Sequence, residues 1–326
     1  MIPLYPHVKF NFWSEINTKY TFLNSARSAL YLIAKKYNNH FFLIPAYTCP
    51  TVLHALKQAG VEYNFIDIDN NLDFDIKDLS YMLEKYNNKD IVLVPTSLFG
   101  FKTRDYKKKY PDIIVVEDRA QGFIDSKSSA DFQITSFGKG KMISGFGGGA
   151  IYDINSILTK KLQELGQSNE FYKSFLFAFL QKIISRVWFL LEGTRYDPEQ
   201  SKKLDIDVIK PYRLSKLKRV WILNTLKNSN FSHRTKISNY YLQNIDKKYL
   251  FEQKKGIPYL RLPIKKDIKY SGLSKMVDFH ETFIEALEKR GKELVGARQV
   301  LNSTCLPAHD LVTLEYAKKI VEIINE

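Results

Sequence analysis

At 326 residues the chain exceeds one ordinary domain and suits a large domain joined to a smaller one. Apolar residues make up 44%, aromatics 14% and charged residues 26%, the make-up of a globular protein with a full core rather than a disordered or fibrous chain. Lys and Arg outnumber Asp and Glu by 49 to 35, giving +14, yet the longest basic run is Lys107 to Lys109. No basic block with interleaved aromatics is present, so nucleic acid is not an expected partner and that run reads as a solvated face.

Only Cys49 and Cys305 occur, far apart, which excludes a disulfide framework and a CxxC metal site. The first residues, Met1-Ile-Pro-Leu-Tyr-Pro6, lack a basic region followed by an apolar run, so no signal peptide is visible and a cytoplasmic location is expected. The stretch from Phe171 to Leu191 is strongly apolar but is interrupted by Lys173, Lys182 and Arg186. A cation near a bilayer centre costs about 2.5–3.5 kcal/mol, which argues against a span. Burial against the domain or a second subunit is expected for its broad apolar face, ahead of peripheral contact with a membrane.

In chain order, Ser28 to Lys36 carries helical spacing, Phe41 to Ile44 reads as a buried strand, and Pro50 to Ala59 as a helix between Pro at its start and Gly60 at its end. Asn64 to Ile68 is the next strand, Ile76 to Lys85 the next helix, and Ile91 to Val94 and Ile113 to Val116 two further strands. Strand–helix alternation with continuous apolar strands predicts an α/β domain whose mostly parallel central sheet is covered on both faces. After Tyr152 helical segments dominate to about Asn244, including Leu214, Leu217 and Trp221 on one face. Beyond Phe251, a strand-like Tyr259 to Leu262 and helices at Thr282 to Lys289 and Leu314 to Ile324 read as a small α+β domain. The division is placed at 1–230 and 231–326.

Three features fall where ligands bind in open α/β sheets, beyond the carboxyl ends of strands. In Val115-Val-Glu-Asp-Arg-Ala-Gln121 two acids follow a buried strand, either capping the next helix or partnering something cationic. Ser136 to Gly149 is glycine-rich and carries Lys139 and Lys141, but its spacing fits neither GxxxxGK[ST] nor GxGxxG. A lysine becomes a nucleophile toward carbonyls when partly desolvated or set near other cations. Asn24-Ser-Ala-Arg-Ser-Ala-Leu30 runs into the first helix and serves equally as an anion site or a plain cap. No His/Cys/Asp spacing suggests a metal.

Taken in order, these segments, with Ile44-Pro-Ala-Tyr-Thr-Cys49 and the paired glycines after Lys141, resemble the DegT/DnrJ/StrS-type sugar aminotransferases. The resemblance covers residues 20 to 153 closely and continues more weakly through Tyr212-Arg-Leu-Ser215 and Leu306-Pro-Ala-His309. It implies a pyridoxal-phosphate (PLP) enzyme of fold type I, working as a homodimer with shared active sites. It implies Lys141 as the residue of the internal aldimine and proton shuttle, and Asp118 as the partner of the pyridine nitrogen. Gln121 would meet the phenolic oxygen or flank the ring; Ser136, Ala26 and Arg27 would hold the phosphate; Glu117 would be structural and Lys139 a loop charge.

The chain departs from the family pattern at several points. Ala26-Arg27 replaces Gly-Thr, and Cys49 replaces a stacking aromatic, so that Tyr47 or Cys49 is left to flank the ring. Ser97 replaces a His, Phe146 a Glu, and Pro211 an Asn ahead of Tyr212-Arg213, where Arg213 would contact the cofactor phosphate. His309 and Ser97 are candidates for the substrate pocket. The implied reaction moves an amino group from an amino acid, glutamate foremost, to a nucleotide-linked keto sugar for amino-sugar or surface polysaccharide synthesis. Two alternatives are a sugar dehydratase of the same family, some members of which carry a His in place of the lysine, a version Lys141 argues against, and a non-catalytic relative acting in assembly or at a membrane surface.

Overall fold

In the computed structural model, residues 20–122, 128–138, 140–143, 147–167, 208–252, 255–268, 279–309 and 312–326 are described. Lys139, Phe146 and the apolar stretch 171–191 lie outside them. Seven strands form the central sheet: β1 (Tyr20–Leu23), β2 (Phe41–Pro45), β3 (Glu62–Ile66), β4 (Ile91–Leu93), β5 (Ile114–Asp118), β6 (Phe132–Ser136) and β7 (Gly149–Asp153). Their order is β1-β7-β6-β5-β4-β2-β3, parallel from β6 to β3, with β7 antiparallel to both its neighbours.

Residue alternation explains how the sheet is covered. In β2, Phe42 and Ile44 enter one core cluster while Phe41 and Leu43 enter the cluster on the other face. The first cluster is built with α1 (Ala26–Lys36) and α2 (Pro50–Ala59), the second with α3 (Ile76–Lys85) and the short α4 (Tyr106–Lys109). Helix starts follow the local chemistry. Ser25 caps α1 by accepting from Ser28 N at 3.0 Å, Pro50 occupies the first turn of α2, and Asp75 accepts from Asp78 N at 2.8 Å. Gly60 ends α2 in the left-handed region at φ 76.

After α5 (Thr159–Glu164) the described chain resumes at Val208 and enters α6 (Lys216–Asn228) and α7 (Ser232–Asn244). A two-stranded antiparallel sheet, β8 (Arg261–Ile264) and β9 (Thr304–Pro307), stands with α8 (His280–Arg290), α9 (Val295–Leu301) and α10 (Leu314–Asn325). The strand-like signal at 259–262 thus lies two residues early. Leu217 and Trp221 of α6 point outward, and Leu214, which precedes the helix, is buried instead. The inward side of α6 is set by Ile222 and Leu226, four residues apart, which meet Phe22 and Phe137.

Charged clamps fasten the C-terminal elements to the end of β3. Arg290 holds both oxygens of Asp78, at 2.7 and 2.6 Å, and also donates to the Phe65 carbonyl. Asp67 caps α9, accepting from Ala297 N at 2.8 Å and Gly296 N at 3.1 Å. A side chain at Gly296 would overlap the Ile68 carbonyl oxygen, so the two segments meet backbone to backbone. Among the described residues no helix is long and apolar enough to cross a membrane.

Candidate active site

The parallel strands deliver their carboxyl ends to one edge, where Asp118 ends β5 and Ser136 ends β6. Asp118 ends β5 with 5% exposure, its backbone tied to the segment after β4: Asp118 N donates to Pro95 O at 2.9 Å and Ser97 N donates to Asp118 O at 2.8 Å. Its carboxylate accepts one hydrogen bond among the described residues, from Ala120 N at 2.8 Å. Burial pushes its pKa up, against the Ala120 bond and the charge of Lys141, which pull it down. A desolvated carboxylate with so little compensation favours a cation beside it.

Period two puts Glu117 and Arg119 on the opposite side of the strand from Asp118. There they form a buried ion pair, Arg119 Nε to Glu117 Oε2 at 2.8 Å and Nη2 at 2.7 Å, joined by Ser128 Oγ at 2.8 Å. Glu117 therefore has the structural role expected of it. Gln121 is buried, and its Oε1 accepts from Phe99 N at 3.0 Å. Phe99 adopts φ 54, a conformation costly for a bulky residue, and the Gln121 bond holds it there.

Lys141 is half-buried in the glycine-rich loop, its amide donating to Gly138 O at 3.3 Å. Met142 and Ile143 anchor the loop in a cluster with Phe22, Phe137, Leu214, Ile222 and Leu226. Ser136 ends β6 with its Oγ accepting from Gly138 N at 3.4 Å, and it pairs in register with Gly149 of β7. Gly149 presses against the start of α1, where a side chain would collide with Ala26 N and the Ser25 carbonyl carbon. Ser136 and the free amides opening α1 at Ala26 are thereby brought to one place, an arrangement suited to an anion.

Arg27, half-buried in the first turn of α1, is felt at His54 of α2. Burial pushes the His54 pKa down, Glu281 opposes this, and Arg27 and Lys57 add to it. Neither His54 nor Phe99 stood out in the sequence, for a helix-borne His and an apolar loop residue carry no motif. Tyr47 is fully buried, its ring 5.0 Å from Phe279 and 6.2 Å from Phe99. Cys49 stands at the cap of α2, its Sγ accepting from Thr51 Oγ1 at 3.1 Å. Ser97 is buried beside Asp118. Arg213 pairs with Leu23 at the sheet edge, and its Nε donates to Leu165 O at 3.1 Å within the same chain. His309 lies in the turn leading into α10, its carbonyl accepting from Val312 N at 3.0 Å.

Similar proteins give this arrangement its setting. CalS13, a sugar aminotransferase from Micromonospora echinospora, superposes with a TM-score of 0.66 at 15% identity, covering 96% of this chain and 88% of that one. NtdA from Bacillus subtilis, with bound cofactor PMP, superposes with a TM-score of 0.65 at 19% identity, covering 98% and 76%. The fold is that of the PLP-dependent aminotransferases. No family model matches the chain. A curated relative, the UDP-4-amino-4,6-dideoxy-N-acetyl-beta-L-altrosamine transaminase of Campylobacter jejuni subsp. jejuni serotype O:23/36 (strain 81-176), is 28% identical over 248 residues. That match covers 70% of this chain and 58% of the relative, so the chain spans somewhat more than half of that protein's length. Within the PLP-dependent aminotransferase fold, Asp118, Ser136 and the start of α1 occupy the carboxyl edge of the sheet, where such folds take their ligands.

Proposed function

We propose that the chain is a PLP-dependent aminotransferase moving an amino group from glutamate to a nucleotide-linked keto sugar. The observation that carries this reading is the buried, sparsely compensated Asp118 carboxylate lying within the field of Lys141. Those residues fit the cofactor: a protonated ring nitrogen supplies the cation that Asp118 lacks, and an aldehyde suits the Lys141 amine. Bound there, the cofactor supplies a carbonyl that takes up amines and a ring that draws electrons from the adjoining carbon.

The chain's own residues do the rest. Asp118 keeps the ring nitrogen protonated, and Lys141 Nζ holds the cofactor and afterwards carries a proton. Ser136 Oγ, the amides at Ala26 and the Arg27 guanidinium bind the phosphate. Gln121 orders the Phe99 turn beside Asp118 and, with Tyr47 and Cys49, flanks the ring. Ser97 and His309 are assigned to the substrate side, and Arg213 to the phosphate across a homodimer. The relative named for a UDP-linked sugar supports the substrate class, and the +14 charge suits a diphosphate.

Purified protein supplied with the cofactor is expected to show a visible absorption band that shifts on borohydride reduction, and Lys141→Ala to lose it. Glutamate should convert the band to that of the aminated cofactor, and nucleotide-linked keto sugars should restore it. A chain that stays colourless with added cofactor overturns the reading.

A further inference from the structure

The turn after β4 is where three parts of the chain meet. Phe99, buried at its centre, has φ 54 and ψ 14, in the left-handed region that a bulky residue enters only at a cost. Its amide donates to Gln121 Oε1 at 3.0 Å, and its carbonyl accepts from Leu260 N at 2.8 Å. Leu260 is gripped in turn by Arg234 of α7, whose Nη1 donates to the Leu260 carbonyl at 3.1 Å and to the Tyr259 carbonyl at 3.3 Å. The segments are pressed close: a side chain at Gly100 would come within 3.2 Å of Leu260 N, and one at Gly122 within 2.8 Å of Ser97 Cβ.

A side-chain amide has an accepting end and a donating end, and a backbone N–H can meet only the accepting one. The Phe99 amide therefore fixes Gln121 with Oε1 turned to the loop. It leaves Nε2, which has no other partner among the described residues, as the end offered to a ligand. We propose that Phe99 is a positioning residue for the cofactor ring, acting through Gln121 so that an N–H donor meets the ring's phenolic oxygen. The assignment rests on the reading of this edge as a PLP site. A Gln121 free to turn over would set its own carbonyl oxygen against the phenolic oxygen, acceptor against acceptor. The left-handed turn prevents this, and Leu260 and Arg234 hold the turn from the other side. The orientation of one amide at the sheet edge thus depends on contacts made by the C-terminal part of the chain.

The test is a pH titration of the visible band of the full chain loaded with PLP, alongside the melting temperature of the cofactor-free chain. A donor favours the anionic form of the phenolic oxygen. Gln121→Met should therefore move the transition up by about one to two pH units, the worth of one hydrogen bond to a charged group. Replacing Phe99 by phenyllactate, which turns the amide N–H into an ester oxygen and keeps the ring, should move it in the same direction. In a chain that already carries Gln121→Met the ester should add nothing, because both changes remove one interaction. Arg234→Lys, which alters the grip on Leu260 without touching the turn, should give a smaller shift of the same sign. A transition that stays in place in Gln121→Met overturns the proposal. So does one that stays in place in the ester and Arg234→Lys chains while their melting temperatures fall, which makes Phe99 structural only, or an ester shift that adds to that of Gln121→Met. An unaltered chain that shows no band with added cofactor overturns the PLP reading itself, and the proposal with it.

Discussion

Asp118 carries a charge that its surroundings do little to compensate. Its carboxylate is desolvated, accepts a single backbone hydrogen bond among the described residues and is pushed up in pKa by burial. Asp118→Asn should therefore raise the melting temperature of the cofactor-free protein, since it removes a charge that burial disfavours. The same change should weaken cofactor binding about 10- to 100-fold, the worth of a charge-assisted hydrogen bond of about 1.5–3 kcal/mol. Calorimetry of the free protein and a spectroscopic titration separate the two effects. Asp118, Lys141 and Ser136 could be proposed from the sequence because the argument for them needs only their order and spacing. The bond between Gln121 and Phe99 could not, because it depends on a backbone at φ 54 that no residue type announces.

The strands that could be read directly were those buried on both faces. Phe41–Pro45, Ile91–Leu93 and Ile114–Asp118 are apolar along most of their length, and the helices α2 and α3 match their expected bounds. What escaped was β6, whose run is broken by Gln133 and Thr135, and the antiparallel edge beside it. β1 has four residues, β7 opens with glycine, and Tyr20 pairs with Tyr152, a partner no local window contains. Yet this edge positions the start of α1, because Gly149 is the surface on which Ala26 rests. Gly149→Ala is expected to destabilise the protein by about 1–3 kcal/mol through that collision. A urea titration with a lowered midpoint, together with weaker cofactor uptake, is the expected result. Ser25→Ala, which removes only the cap, should cost about 1 kcal/mol.

Across the molecule, Asp78 is the charge that binds the C-terminal elements to the sheet. Burial pushes its carboxyl up, but hydrogen bonds from Arg290 and Lys292 outweigh this and bring it down to about 2. A depressed carboxylate contributes stability above its unfolded pKa of about 3.9, and that contribution disappears as pH falls toward 2. The stability read from urea titrations should therefore fall between about pH 4 and pH 2, by roughly 2 kcal/mol from this group. Asp78→Asn should flatten that part of the profile and, at neutral pH, cost about 3–5 kcal/mol, because Arg290 is left buried without its partner. A profile unchanged by the substitution would remove Asp78 from this role. The sequence held both residues in view but, 212 positions apart, gave no sign that they meet.

The seating of α9 on Asp67 has a consequence for the order in which the chain is made. Asp67 and Ala297 are 230 residues apart, so a ribosome adding about 5–20 residues per second needs on the order of ten to fifty seconds to supply the second after the first. Throughout that interval the end of β3 lacks its cover, with the Asp67 carboxylate and the Ile68 carbonyl open to whatever is nearby. The nascent protein thus passes through a period in which its sheet can form while its C-terminal closure does not yet exist, and that is when a chaperone has most to offer it.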